Sequence, residues 1–275
     1  MTVVEILPPG LSNADLEALR QAVECLEDRS FASRAATLLG RQVETWSRSL
    51  PASLRRAAAR AAETALNGAL KVALRTIDTA SPPRAARGAH RAAAAASGAI
   101  GGAFGLASTV IELPISTTIL MRSIAQIARE EGEDLTQPEG ALACLEVFAL
   151  SDEPGEAAIE GGYFAARGAL ARSVADSARY LAGHRIAGES APVLARLIAQ
   201  IATRFGLVVS EKFAAQAVPV VGAIGGAAVN LAFAQHFQTL ARGHFIIRRL
   251  ERLHGHEAVS AEYRRLRGDA SRREA

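Results

Sequence analysis

The chain has few of the residues that mark several common classes of protein. Only 5% of its 275 residues are aromatic, and only two are cysteines. Two cysteines exclude a disulfide framework and a cysteine-rich zinc module. Lysine is scarce as well, since Lys71 and Lys212 are the only lysines among 31 basic residues. The first residues include acidic Glu5 and lack a basic start before an apolar core, so we expect no signal peptide and a reducing cytoplasm.

Alternating strand patterns are also missing, and helical periodicity dominates what is present. Hydrophobic residues make up 49% of the chain and recur with a period of about 3.6 residues. We therefore predict an all-α, multi-helix bundle. The first three helices are expected from Asn13 or Asp15 to Glu27, between Phe31 and Pro51, and from Pro51 through Leu74. The further predicted helices are 84–111, 115–131, 138–150, 157–182, 190–205, 207–217, 220–254 and a charged helix at 257–268.

Residues that start and stop helices support these boundaries. Ser12 is a suitable N-cap for the first helix. Gly132, Gly183 and Gly206 fall where a helix end favours a left-handed residue. The clearest break is Ser81-Pro82-Pro83. We therefore expect an Arg-rich helical extension at 1–83, a helical core at 84–256 and a charged tail at 257–275.

Charge is unevenly distributed along the chain, although its net value is only +3. Residues 41–91 carry ten basic and three acidic residues, whereas 129–160 carry ten acidic residues and one arginine. Residues 242–275 carry nine arginines and five acids. These blocks predict either solvated helix faces or a basic surface that meets anionic lipid headgroups. We expect no nucleic-acid binding, because no reader motif is present and few aromatics are available for base stacking.

Two glycine-rich stretches, 92–111 and 213–235, contain no charged residue. Each is long enough to cross a bilayer. Both contain the sequence GAIGGA, and their glycines recur at four-residue spacing, which lets two helix backbones approach closely. We predict that the bundle is built around these two helices, packed together. The glycines expected at that contact are Gly98, Gly101, Gly102, Gly105, Gly222, Gly225 and Gly226.

The same stretches leave three alternatives open. They could form a buried helix pair in a soluble protein, a hairpin that inserts reversibly into lipid, or two stable membrane spans. Glu112 interrupts the first apolar run, and a carboxylate in mid-membrane costs about 2.5–3.5 kcal/mol on insertion scales. Neither glycine cluster has the pattern of a phosphate-binding loop.

Four segments together resemble the EcsC family. They are GAIGGAFGLASTVIELPISTTILMRSIAQIAREEGEDL (98–135), CLEVFAL (144–150), GGYFAARGAL (161–170) and VPVVGAIGGAAVNLAFAQHFQTLARGHFIIRRLE (218–251). The resemblance covers about residues 85–255, and the segment before it is unmatched. It implies a helical bacterial protein of a family named for its association with an ABC-transporter operon, and it implies no particular reaction. No transporter ATPase motif occurs in this chain.

Isolated polar residues in apolar helices are the candidates for a pocket. Glu112 precedes Pro114 and could pair with Arg122, although a solvated helix face is the commoner position for a charge such as Arg122. His236 lies near an apolar stripe, where a histidine is more often a core residue than a ligand. The complete candidate pocket is Glu112, Thr117, Arg122, Asn230, His236 and His244.

Metal binding and catalysis have little support in the sequence. His254-Gly255-His256-Glu257 does not have the H-E-x-x-H spacing, and Cys25 and Cys144 lie in apolar helical contexts that suggest packing. We therefore assign no catalytic residue, metal or cofactor.

These observations predict a membrane-associated or lipid-binding helical protein, non-enzymatic, whose basic faces approach an anionic membrane or lipid ligand. We expect it in the cytoplasm. The alternative location is the inner membrane, either at its surface or inserted into it. One alternative is a hydrolase whose pocket uses Glu112, His236 or His244. The other is a cytoplasmic protein-interaction module. The protein partner is left open.

Overall fold

Helices form the whole described part of the chain apart from short connections. The computed structural model describes residues 10–27, 31, 51–78, 106–151, 157–183, 191–217 and 223–274. Within these ranges no strand occurs, so the all-α prediction is confirmed. The helices are α1 (Asn13–Glu27), α2 (Ala52–Asp78), α3 (Leu106–Glu130), α4 (Pro138–Glu146), α5 (Ala157–Gly183), α6 (Pro192–Ala217), α7 (Ala223–His254) and α8 (His256–Glu274), with a 3-10 turn at Val147–Ala149.

Two of the predicted end signals act as expected. The Ser12 hydroxyl accepts a hydrogen bond from the backbone N–H of Asp15 at 3.2 Å, which caps α1. Gly132 has a φ of 75°, and the N–H of Glu133 donates to the carbonyl of Ala128 at 2.9 Å. This is the Schellman arrangement, which ends α3 by satisfying its free carbonyl groups.

Other predicted helix boundaries were wrong. Gly183 ends α5 without a positive φ, and Gly206 lies inside α6, so 190–205 and 207–217 form one helix. Pro114 likewise lies inside α3, which runs from Leu106 to Glu130. An internal proline costs a helix about 3 kcal/mol, and the burial of α3 against α2 and α7 offsets that cost.

Helices α2 and α7 organise the packing. Helix α2 lies against α3 and α6, and its buried residues are six alanines with Leu66 and Leu70, so most of this face allows close approach. Helix α7 contacts α1, α3, α6 and α8. Buried residues of α1 and α2 belong to the same hydrophobic core as those of the later helices. The division at residues 83 and 256 stays a prediction.

A glycine contact does join two helices, at a position that we did not predict. A Cβ on Gly243 of α7 would lie 2.6 Å from Leu26 Cγ and 3.0 Å from Cys25 Cβ of α1, so only glycine fits without a shift. The predicted contact between the two glycine-rich stretches stays a prediction. Gly225 and Gly226 belong to α7, whereas the other five glycines, Gly98, Gly101, Gly102, Gly105 and Gly222, lie outside the described residues.

Helix α6 is the one described helix whose length and composition would suit a membrane span, over Pro192–Gln216. In the bundle, 44% of its most apolar 18-residue segment is buried. A core helix of a soluble protein passes the same test, so α6 does not decide between the three alternatives. Of the two glycine-rich stretches, 92–105 and 218–222 lie outside the described residues. The described part of the second stretch belongs to the end of α6 (213–217) and the start of α7 (223–235).

Candidate functional site

Glu112 forms a buried cluster with residues from two other helices. The Lys212 ammonium of α6 lies 3.1 Å from Glu112 Oε1, and Asn230 Nδ2 of α7 donates to the same oxygen. Lys212 is 0% exposed, and its Nζ also lies 4.6 Å from the centre of the Phe233 ring. Burial lowers the pKa of Lys212, while the Glu112 carboxylate opposes that shift. We call Glu112, Lys212 and Asn230 the Lys212 cluster.

The Lys212 cluster is incompletely hydrogen-bonded. Among the described residues, Glu112 Oε2 and Asn230 Oδ1 are buried and have no hydrogen-bond partner. Arg122, the partner considered for Glu112 from sequence, is exposed instead. Thr117 is fully buried, and its hydroxyl has no partner within the described ranges. The structure therefore joins Glu112 to Asn230, as grouped from sequence, but replaces Arg122 with Lys212.

His236 is a buried core residue that makes a defined polar contact. Its Nε2 lies 3.0 Å from the Ser151 hydroxyl, at the end of the 3-10 turn. The ring packs edge-on against Phe31 and Phe237. This arrangement agrees with the more common fate of a histidine on an apolar stripe.

His244 lies at the centre of a second buried network. The Tyr163 hydroxyl is 2.9 Å from His244 Nδ1, and Arg167 Nη1 donates to the same hydroxyl oxygen at 3.2 Å. Because arginine is only a donor, the hydroxyl hydrogen is free to point at Nδ1. His244 Nε2 then faces Glu146 Oε2 at 3.8 Å, which is too long for a hydrogen bond.

Burial favours the uncharged forms of His244, Glu146 and Tyr163 in this second network. It lowers the pKa of His244 well below 6.5, and the charges of Arg167 and Arg248 lower it further. Burial also raises the pKa values of Glu146 and of the Tyr163 phenol. Near neutral pH, these shifts favour an uncharged imidazole and an intact phenol.

The network continues outward through an ion pair. Arg167 Nη1 donates to both carboxylate oxygens of Glu251, at 2.9 and 3.0 Å. Glu251 Oε1 in turn lies 2.8 Å from His256 Nδ1. His256 has a side chain that is 63% exposed, so the network runs from buried His244 to the protein surface.

A cavity of about 360 Å³ opens beside this network, between α5 and α8. We call it the α5–α8 cavity. Its lining residues are Tyr163, Phe164, His256, Ser260, Tyr263, Arg264 and Arg267. None of them belongs to the candidate pocket predicted from sequence. One residue of that pocket, His244, does contact the hydroxyl of Tyr163. The resemblance segment GGYFAARGAL contains Tyr163, Phe164 and Arg167, and it was the only signal that could have pointed there.

The acidic and basic blocks of the sequence meet in space. Arg248 Nε donates to Glu133 Oε2 at 3.0 Å, and Arg252 Nη1 reaches the same carboxylate at 2.5 Å. Arg249 Nε donates to Glu131 at 2.8 Å. We call these five residues the Glu133 cluster. Several C-terminal arginines of the basic block at 242–275 are therefore paired with carboxylates of the same chain.

Metal ligation has no support in the described ranges, where no group of three His, Cys, Asp or Glu residues could hold an ion. His254 Nε2 contacts Asp15 at 3.0 Å, while His256 faces Glu251, so the histidines of the His254–Glu257 motif have separate partners.

Glu112, His236 and His244 also belong to three separate clusters. The structure therefore does not bring the residues of the hydrolase alternative together in one cleft.

A comparison with protein families shows that the chain belongs to the EcsC family. The model of the EcsC protein family matches residues 3–250. The resemblance seen in sequence began only at about residue 85, so its extent was wrong, and α1 and α2 lie within the family region. Searches of curated proteins and of solved structures found no match.

Proposed function

We propose that this EcsC family member is a non-enzymatic protein that associates reversibly with anionic lipid through one face of α2. We define the arginine face as Arg55, Arg56 and Arg60. All three side chains are exposed, and among the described residues none has a carboxylate within ion-pair distance. This cluster of available positive charge is the observation that carries the proposal.

The packing of α2 supports a surface role for this face. The opposite face is alanine-rich and lies against α3 and α6, so the arginines project away from the bundle. A Cβ on Gly206 of α6 would lie 3.8 Å from Ala59 Cα, within the same stretch of α2. The next residue, Leu207, is 44% exposed. Helix α6, which packs beside α2, therefore also carries an exposed apolar side chain.

The expected strength is modest. Each arginine near an anionic leaflet contributes about 1 kcal/mol, so three contribute about 3 kcal/mol. Salt screens such an attraction, with a Debye length of about 8 Å at physiological ionic strength. Association of this kind is reversible and salt-sensitive, and it does not require any helix to leave the bundle.

Liposome flotation tests the proposal. We expect recovery with phosphatidylglycerol-containing vesicles at low salt, loss at high salt, and no recovery with phosphatidylcholine vesicles alone. The triple variant Arg55→Gln, Arg56→Gln, Arg60→Gln should lose recovery. The matched control removes three exposed arginines from three different helices: Arg122→Gln, Arg172→Gln and Arg196→Gln.

The control carries the same change in net charge, so it separates a local face from overall charge. Equal losses in the two triple variants would contradict the assignment to α2. Failure of the unmodified protein to float with anionic vesicles would overturn lipid association and favour the cytoplasmic interaction module.

A further inference from the structure

We propose that the α5–α8 cavity binds a small amphiphile that has an apolar body and one anionic group. This inference is independent of the lipid association of α2. The volume of about 360 Å³ lies within the range of small-molecule sites, roughly 300–1,000 Å³. Such sites combine apolar walls with a few placed polar groups.

The walls of the cavity are aromatic. The Phe164 ring lies 5.0 Å from that of Tyr163 and 5.2 Å from that of Tyr263, centre to centre. Both tyrosine hydroxyls have partners within the protein: Tyr163 with His244 and Arg167, and Tyr263 with Glu27 at 2.7 Å. The rings therefore contribute apolar surface to the cavity, while their polar ends are already satisfied.

The charged groups at the cavity are cationic, and none of the lining residues is acidic. Arg264 Nε donates to the Ser260 carbonyl at 3.1 Å, and no carboxylate in the described part of the chain pairs with this arginine. Arg267 is different, because its Nε lies 3.0 Å from Glu27 Oε2. Arg264 is therefore the residue expected to hold an anionic group.

The backbone of α5 is adapted to this wall. Gly162 has a φ of 47° at a kink, and a Cβ there would lie 2.7 Å from Arg267 Nη1. A side chain at this position would be strained by its backbone and would displace the arginine. The kink thus brings the α5 backbone against the arginine side of the cavity and leaves Phe164, two residues later, beside its open space.

Two dyes of similar shape test the ligand class. Anilinonaphthalene sulfonate carries an anionic sulfonate on an aromatic body, and phenylnaphthylamine is its uncharged analogue. In a fluorescence titration of the full chain without lipid, we expect saturable binding of one sulfonate dye per chain. Arg264→Gln should weaken that binding about tenfold, because a charge-assisted hydrogen bond is lost. The same substitution should leave binding of the uncharged dye within about twofold.

Arg265→Gln is the matched control. Arg265 is the next residue on α8, but it pairs with Glu262 and does not line the cavity. It should leave both dyes unchanged. A second variant, Ser260→Trp, places a bulky ring in the cavity and should abolish binding of both, with circular dichroism to verify helicity.

Equal effects of Arg264→Gln and Arg265→Gln would overturn the proposal, as would several weak sites per chain. If Ser260→Trp fails to fold, the two exposed arginine variants still decide the outcome.

Discussion

The ion pairs at the two ends of helix α7 differ in how far their side chains are buried. Near its start, the Lys212 cluster is enclosed, and Glu112 Oε1 is the shared acceptor for both Lys212 and Asn230. Near its end, the Glu133 cluster is partly solvated, and one carboxylate serves both Arg248 and Arg252. The side chain of Lys212 is 0% exposed, whereas that of Arg252 is 41% exposed.

This difference predicts at which end of α7 the stability of the protein depends on an ion pair. Although burial raises the pKa of Glu133, its hydrogen bonds and attraction to Arg248 and Arg252 lower it below the ordinary value overall. A second arginine remains paired with the Glu133 carboxylate if one of its two partners is lost. In the Lys212 cluster, losing one partner leaves a charge in the core, where desolvation is not repaid. We therefore expect the loss of an ion-pair partner to destabilise the protein more at the start of α7 than at its end.

The largest effect is expected from Lys212→Met. This change strands the Glu112 carboxylate in the core and should lower the free energy of unfolding by about 3–5 kcal/mol. Urea unfolding followed by circular dichroism measures it. Adding Glu112→Gln to Lys212→Met should recover most of the loss, because no buried charge then remains.

Lys71→Met is the control for this experiment, because Lys71 is the only other lysine and is exposed on α2. We expect its effect to stay within about 0.5 kcal/mol. Similar losses for the two lysines would contradict the assignment of the loss to the burial of Lys212.

A smaller effect on the free energy of unfolding is expected from His244, which lies between the two ends of α7, and this effect depends on pH. Its pKa is lowered in the folded state, so the unfolded chain binds more protons below pH 6.5. Stability from this group is therefore complete above pH 6.5 and is lost as pH falls from there toward the folded-state value. The free energy of unfolding is therefore expected to be lower at pH 5.5 than at pH 7 and above.

His244→Asn checks this contribution, since the Asn oxygen can still accept a hydrogen bond from Tyr163. Urea unfolding at pH 7.5 and 5.5 should show a smaller acid loss in the variant than in the unmodified protein. Glu146, whose pKa is raised by burial, contributes with the opposite sign in both proteins and cancels in the comparison. An identical pH dependence in the two proteins would show that His244 is not the responsible group.

The smallest effect is expected at the solvated end. Arg252→Gln should reduce the free energy of unfolding by only about 0.5 kcal/mol, because exposed ion pairs contribute little and Glu133 keeps Arg248. The urea midpoint should shift little, and 1 M salt should shrink the difference further. A loss comparable to that of Lys212→Met would mean that the two ends of α7 do not differ.

Local signals predicted much of the fold and little of the site. The cap at Ser12 and the left-handed Gly132 act within one helical turn, so sequence sufficed for them. Pro114 and Gly206 misled the prediction because burial on both sides outweighed their helix-breaking tendency. The α5–α8 cavity was missed because it is formed by residues that lie far apart along the chain and carry no shared motif.

By itself, the sequence determined the all-α class, the positions of most described helices and membership of the EcsC family. Periodicity and capping depend on neighbours within a few residues, so they can be read directly from the chain. The tertiary structure decided the partners: Lys212 rather than Arg122 for Glu112, 100 residues away, and Tyr163 for His244, 81 residues away. It also decided which arginines stay available, because ion pairs depend on how helices are placed around α7 and not on the charge of a segment.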